Sequence, residues 1–250
     1  MCGPFHVGHH IPQMEESTAS TLPRWFEELC ERLVVQVASG ISNNNETSSE
    51  ADAPITNLNL NLRRLNYPMM DALVQALSQN SQIQAINLTW TLVDINTYSD
   101  QKLVTLADLL DHHPSLEVVH LSYNRLSNAT PLGLALSTNT TLRELHLDHN
   151  RLTPESAIAI AQGLSQNAHH TKLAVLCLNS NNIGNAGGAA IASMLQDNKS
   201  ITTLQLANNE LGFRTIQKLW ESLQRNVTLR VLGLDQNPDL PTHEKSQVLH

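Results

Sequence analysis

The sequence predicts an α/β solenoid, a curved stack of about seven strand–helix units with a parallel sheet on the inner side and helices outside. Leucine-type residues recur with the spacing L-x-x-L-x-L-x-x-N-x-L, and the pattern of an amphipathic helix separates successive copies. In addition, 41% of the 250 residues are hydrophobic, which is enough to fill a large core. Because one such unit cannot enclose a core alone, neighbouring units must stack and share it.

Each copy of the leucine spacing predicts one short strand. Five copies are nearly complete, and two degenerate copies precede them, with Arg63 and Thr91 at the position of the asparagine. The copies start at Ile55, Ile83, Leu116, Leu142, Leu173, Ile201 and Leu229, which gives a single repeating period with small insertions. Along each strand, we expect alternate side chains to point into the core and onto the inner, concave face.

Between the strands, apolar residues at i, i+3, i+4 and i+7 predict a helix in each of six units. These stripes cover residues 70–77, 103–110, 129–136, 157–164, 188–195 and 216–223. Three residues beyond the stripes lie Asn80, His113, Asn139, Asn167, Asn198 and Asn226. Because asparagine tolerates the left-handed conformation, we expect that backbone geometry just past each helix end.

The asparagine of the repeat motif is predicted to be structural. It occupies the turn after the strand in five copies, as Asn124, Asn150, Asn181, Asn209 and Asn237. A side-chain amide there can bond buried backbone groups of its own and the adjacent coil, which would otherwise cost roughly 1 to 3 kcal/mol each. Substitution of Asn150 or Asn181 is therefore expected to destabilise the fold.

The ends of the chain differ from the repeats. An apolar stripe after Thr21 and Pro23 predicts a capping helix over residues 21–38, formed by Phe26, Leu29, Cys30 and Leu33. Residues 1–20 are predicted to be a mobile tail and the polar segment 39–54 a flexible linker, followed by the repeat domain at 55–240. The tail at 241–250 is too short for another repeat, which leaves the last strand weakly covered and favours weak association there.

The segment Leu176–Met194, reading L-C-L-N-S-N-N-I-G-N-A-G-G-A-A-I-A-S-M, resembles the leucine-rich repeats of the ribonuclease-inhibitor subtype. Such repeats also form the recognition arms of NOD-like receptors and Ran GTPase activators. The resemblance covers residues 55–240 and implies a horseshoe with a parallel inner sheet and outer helices. It implies no particular activity, because these scaffolds carry unrelated functions.

Composition argues against several classes of partner. With 15 basic and 23 acidic residues, the formal net charge of −8 disfavours nucleic-acid binding and a polybasic membrane anchor. No stretch approaches eighteen uninterrupted apolar residues, so membrane insertion is not expected. Three cysteines without a CxxC spacing indicate a reducing compartment. We therefore expect a cytoplasmic protein, with translocation into a host cell as the alternative.

A partner-binding surface is predicted on the concave face. Equivalent positions on three consecutive units hold large apolar or aromatic residues, namely Leu62, Trp90 and Tyr123. The alternative role for some of these side chains is packing at the rim of the sheet. Tryptophan and tyrosine are frequent binding anchors. The predicted surface comprises Leu62, Trp90, Tyr123, His120, His146, Asp148 and His149.

No metal site, cofactor or catalytic residue is assigned from the sequence. His120, His146 and Cys177 would lie on neighbouring strands about 4.8 Å apart, with Asp148 and His149 nearby, a set that includes zinc ligands. However, parallel neighbours in register point alike rather than converge, which favours a row of surface side chains.

The sequence also contains no recognisable catalytic or nucleotide-binding motif. The G-x-x-G-G run that begins at Gly184 is neither a dinucleotide-binding fingerprint nor a P-loop, and tight-turn geometry explains it. No Ser/His/Asp or Cys/His set can be assembled from the pattern.

The sequence therefore predicts a non-enzymatic module that binds a protein partner of unknown identity, with its oligomeric state open. The alternatives are a GTPase activator acting through Arg125 or Arg151, a ubiquitin-ligase adaptor, and a bacterial effector acting in a host cell. All of them would use the same horseshoe. The arginines also occupy the variable, solvent-facing position of the motif.

Overall fold

The computed structural model describes residues 22–39, 55–93, 99–238 and 247–248. Strands and helices alternate along the chain, and all described strands form one sheet in the order β1 to β8. The elements are α1 Arg24–Ser39, β1 Asn57–Asn59, α2 Tyr67–Ser78, β2 Ala85–Asn87, α3 Ser99–His112, β3 Val118–His120, α4 Thr130–Leu136, β4 Glu144–His146, α5 Pro154–Gln166, β5 Val175–Cys177, α6 Gly184–Asp197, β6 Thr203–Gln205, α7 Phe213–Leu223, β7 Val231–Gly233 and β8 Gln247–Val248. The predicted strand–helix solenoid is confirmed.

The seven repeat strands are parallel and in register. Their central residues pair directly with one another: Leu58, Ile86, Val119, Leu145, Leu176, Leu204 and Leu232. Each of these side chains is buried. The motif leucines and the inner faces of the helices form one continuous hydrophobic core, as expected for units that share their interior. In the second unit, the fully buried residue after the turn is Leu92, and Val93 is only half-buried.

Helices α4 and α5 approach each other through their backbones. A Cβ atom built on Gly163 would collide with the carbonyl oxygen of Gly133, and a Cβ atom on Gly133 would collide with the backbone of Ala159. Glycine is therefore required at this crossing, because any side chain would force the two helices apart.

The motif asparagines link one coil to the next. The Oδ1 atom of Asn150 accepts hydrogen bonds from the backbone N–H groups of Asn124 (2.9 Å) and Leu126 (3.1 Å). Its Nδ2 atom donates to the carbonyls of Leu121 (3.0 Å) and Leu147 (2.9 Å). The other four motif asparagines are also buried. Each side chain thus bonds backbone groups that are out of reach of solvent.

The asparagines after the helices differ from the expectation. The left-handed conformation predicted there is wrong, since none of the six residues has a positive φ. Instead all six side chains are buried, and those of Asn80, Asn139, Asn167 and Asn226 bond the preceding coil. In Asn139, Nδ2 donates to Leu110 O (2.6 Å) while Oδ1 accepts from Leu142 N–H (2.8 Å). The amide, rather than the tolerance of asparagine for positive φ, explains its recurrence.

At the N-terminal end, α1 packs beside α2 and buries Phe26 and Leu33. Asn80 Nδ2 donates to the carbonyl of Leu33 (2.7 Å), which ties this helix to the first coil. The predicted mobile tail at 1–20 and, apart from Ser39, the predicted linker at 39–54 lie outside the described residues.

At the other end, β8 pairs antiparallel with β7, matching Val248 with Val231 and Gln247 with Leu232. These two residues are all that the structure describes of the predicted tail at 241–250. The edge expected to be weakly covered is therefore partly occupied by the chain itself. Among the described helices, none is both long enough and apolar enough to cross a membrane.

Candidate functional site on the concave face

The backbone turns sharply after every strand of the solenoid. The residue before the motif asparagine position has a φ between 54° and 62° in all seven units: Leu62, Trp90, Tyr123, His149, Ser180, Asn208 and Gln236. These are non-glycine residues in the left-handed region, where the conformation costs about 1 to 2 kcal/mol per residue. Backbone hydrogen bonds between coils offset this cost, for example from Trp90 N–H to Ser122 O (3.2 Å) and from Tyr123 N–H to Asp148 O (3.0 Å).

Three of these turn residues form a stack that we call the aromatic ladder: Trp90, Tyr123 and His149. The ring centroids of Trp90 and Tyr123 are 5.3 Å apart with an interplanar angle of 11°. Tyr123 and His149 follow at 4.2 Å and 9°. Because consecutive coils repeat the same turn at the spacing of parallel strands, the rings lie flat against one another.

The ladder is exposed and continues along the solenoid. Trp90 is 43% exposed and Tyr123 is 37% exposed, and Leu62, which precedes them in the same row, is 68% exposed. Arg63 follows Leu62, and its guanidinium lies 5.3 Å from the ring centroid of Trp25 on α1. Trp25 was not predicted to lie here, since nothing in the repeat pattern relates the capping helix to the turns.

A second stack lies within the sheet. His120 and His146, at the ends of β3 and β4, have ring centroids 4.2 Å apart and an interplanar angle of 19°. The Nε2 atom of His146 lies 3.2 Å from Glu144 Oε2. Burial lowers the pKa of His120, and the neighbouring His146 lowers it further, while the carboxylates of Glu144 and Asp148 oppose the shift. His120 is therefore neutral at pH 7.

Polar atoms converge beside this pair. One ligand atom from each of His146, Asp148 and Cys177 lies within 4.8 Å of the others. The register aligns His146 with Cys177 on the next strand, and Asp148 follows His146 by two residues. Side chains that point alike on adjacent parallel strands already lie about this far apart, and Asp148 joins His146 and Cys177 because the end of β5 lies against the turn that follows β4. His120 and His149 lie instead in the two ring stacks.

The surroundings of the trio hold its side chains in place. Asp148 Oδ1 accepts a hydrogen bond from the backbone N–H of Asn179 (2.9 Å). Cys177 is buried, and burial raises the pKa of its thiol to about 12, with further contributions from Asp148 and Glu144. The cysteine is therefore a neutral thiol in the free protein rather than a reactive thiolate.

Other sequence candidates have different surroundings. Arg125 and Arg151 are exposed in neighbouring turns. The N–H of Gly184 donates to the carbonyl of Asn209 (2.9 Å), so the glycine run contributes a coil-to-coil bond. Lys102, which the sequence analysis missed, is fully buried and donates from Nζ to Leu65 O (2.8 Å).

A comparison with known protein families agrees with this repeat architecture. A leucine-rich repeat family model matches residues 138–161 and 169–192. The chain is 30% identical, over an alignment of 172 residues that covers 65% of this chain, to a Caenorhabditis briggsae protein named protein phosphatase 1 regulatory subunit 37 homolog. It spans 18% of that relative's length.

Similar solved structures include the actin-binding site 2 of leiomodin-1, at 20% identity and a TM-score of 0.44, covering 82% of this chain and 91% of that one. They also include the tropomodulin C-terminal domain of Caenorhabditis elegans, at 14% identity and a TM-score of 0.41, with coverages of 79% and 92%. A Listeria monocytogenes internalin matches at 14% identity and a TM-score of 0.28, with coverages of 90% and 95%.

Proposed function

We propose that this leucine-rich repeat solenoid is a non-enzymatic module that binds a protein partner through its concave face and the adjoining turns. The observation that supports the proposal most strongly is the aromatic ladder, with Leu62 extending its row. Large exposed side chains adjoin one another there on a rigid scaffold. Elsewhere among the described residues, exposed apolar side chains such as Leu134 and Phe213 lie on separate outer helices.

The ladder suits binding for an energetic reason. Its rings are already ordered by stacking, so a partner that covers them freezes few additional rotamers. Tyrosine and tryptophan also combine a large apolar surface with a polar atom at the edge. The proposed surface is the one predicted from the sequence, namely Leu62, Trp90, Tyr123, His120, His146, Asp148 and His149.

The electrostatics of the surface favour one kind of partner. Glu144 and Asp148 bring two carboxylates to the centre of the surface, beside the neutral His120 and the neutral thiol of Cys177. A partner with a basic, apolar surface is complementary to this arrangement. The relative's name makes protein phosphatase 1 the first candidate partner to test, as a proposal for a chain that spans 18% of that relative.

We also propose that the repeats belong to the ribonuclease-inhibitor subtype, in which each strand is followed by a helix. The segment 176–194 resembles that subtype. The near-constant interval between successive strands and the helix after each of the first six strands support this assignment. Cys30 and Cys177 are free, which supports a reducing compartment, either the cytoplasm or that of a host cell.

The test compares two double variants by the affinity of a purified partner, beginning with the catalytic subunit of protein phosphatase 1. Trp90→Ala with Tyr123→Ala removes two ladder rings but keeps a Cβ at each left-handed position. Leu134→Ala with Phe213→Ala removes similar exposed surface from the outer helices. Truncating two anchors costs about 2 to 4 kcal/mol, a Kd roughly 30- to 1,000-fold weaker.

We expect the ladder variant to lose this affinity and the outer-helix variant to bind like wild type. If the ladder variant binds the partner as tightly as wild type and its thermal unfolding is unchanged, the proposal is wrong. If protein phosphatase 1 does not bind, proteins captured by the wild-type chain are purified and measured with the same pair of variants. Capture alone does not support the proposal.

A further inference from the structure

We infer that His146, Asp148 and Cys177 form a zinc-binding site on the concave face. The site goes beyond the proposed protein-binding function and does not depend on it. Three different side chains from two adjacent coils supply an imidazole nitrogen, a carboxylate oxygen and a sulfur atom, all within 4.8 Å of one another. The strand register brings His146 and Cys177 side by side, and Asp148, two residues after His146, supplies the third donor.

The donor set selects the class of metal. Imidazole and thiolate ligands favour zinc and other borderline-soft transition metals over magnesium and calcium, which prefer oxygen ligands. Zinc bonds to these atoms are about 2.0 to 2.3 Å long, which places tetrahedral ligands about 3.5 Å apart. The donors must therefore close by roughly 1 Å, a displacement that small side-chain rotations provide while the backbone register is kept.

Neighbouring groups orient two of the three donors. The backbone N–H of Asn179 bonds Asp148 Oδ1, which leaves the other carboxylate oxygen available for a metal. Glu144 Oε2 lies 3.2 Å from His146 Nε2. When the Nε2 proton is donated to that carboxylate, the lone pair lies on Nδ1, and a carboxylate bonded to the second nitrogen is typical of histidine metal ligands. The stacked ring of His120 restricts rotation of His146.

Charge balance also favours a cation. Asp148 and Glu144 place two carboxylates beside the site. When zinc binds, the Cys177 thiol loses its proton to solvent and the sulfur coordinates as a thiolate, as metal-bound thiols do. The three protein donors leave a fourth position for water.

Cobalt(II) provides the test, because it occupies zinc sites and a cobalt–thiolate bond has a charge-transfer band in the near ultraviolet. The titration uses the full chain with Cys2→Ser and Cys30→Ser, so that any thiolate band comes from Cys177. We expect one cobalt per chain, displaced by one zinc. His146→Gln and Asp148→Asn should each weaken binding about tenfold or more. His169→Ala with His170→Ala, an exposed histidine pair, should leave binding unchanged.

Two results would overturn the inference. One is the absence of a thiolate band in the chain that retains only Cys177. The other is a band whose metal dependence is the same in wild type, His146→Gln and Asp148→Asn, which would place the metal on the cysteine without the other two donors. His146→Gln alters a half-buried side chain, and circular dichroism before titration confirms that each variant is folded. Failure of this test leaves the affinity test of the aromatic ladder unaffected.

Discussion

Replacing Asn150 with alanine tests whether the motif asparagines stabilise the solenoid through coil-to-coil hydrogen bonds. The substitution removes the acceptor of two buried N–H groups, those of Asn124 and Leu126. Each orphaned group costs about 1 to 3 kcal/mol, so we expect the free energy of unfolding to fall by about 2 to 6 kcal/mol. The carbonyls of Leu121 and Leu147 contribute little, since Asn124 and Asn181 also donate to them.

This loss is a large part of the free energy of unfolding of a typical domain, which is about 5 to 15 kcal/mol. Urea unfolding followed by circular dichroism measures it as a lower midpoint with an unchanged slope. Asn182→Ala is the matched control, because Asn182 is exposed in the neighbouring turn and surface substitutions change stability by about 0.5 kcal/mol or less. If Asn150→Ala is no more destabilising than Asn182→Ala, the role assigned to the motif asparagine is wrong.

Two further substitutions probe particular contacts. Burial lowers the pKa of His113 despite the opposing carbonyls of Leu77 and Asn80, so the unfolded chain binds the proton more readily and stability falls as the pH drops below about 6.5. His113→Asn should reduce the difference between the unfolding midpoints at about pH 7.5 and about pH 5.5. An unchanged difference would show that the pH dependence of stability does not come from His113. Gly163→Ala should lower the free energy of unfolding by about 1 to 3 kcal/mol, because its methyl group meets the carbonyl of Gly133. Ser165→Ala on the same helix is its control, and equal melting of the two variants would show that the helices can separate without cost.

Much of the architecture could be predicted because the repeat spacing constrains it locally. The leucine pattern places each strand, and the helical stripes place each helix to within a few residues. The in-register pairing of Leu145 with Leu176 also follows from stacking of like units, even though the chain between β4 and β5 is longer than in most units. These features depend on which residues are apolar and how far apart they lie.

The details of the concave face depend on backbone and side-chain torsions that the spacing does not determine. Alternation along a strand placed Trp90 and Tyr123 in one column. Their stacking arises from the left-handed turn, which nothing about tryptophan or tyrosine signals. The approach of Asp148 to Cys177 depends on the path of the chain after β4. Lys102 was not predicted because lysine is rarely buried, and its position depends on backbone carbonyls that accept from Nζ, those of Leu65 and Leu92.

Site-specific photo-crosslinking tests the central claim most directly, with a photoreactive residue at position 151, in the turn beside the ladder, or at position 162 on the exposed side of α5. The measurement uses a purified partner that binds the wild-type chain, and neither substitution alters a residue of the proposed surface. If the concave face and its turns bind the partner, the crosslink forms from position 151 and not from position 162. A crosslink from position 162 alone would place the partner on the outer helices and contradict the account.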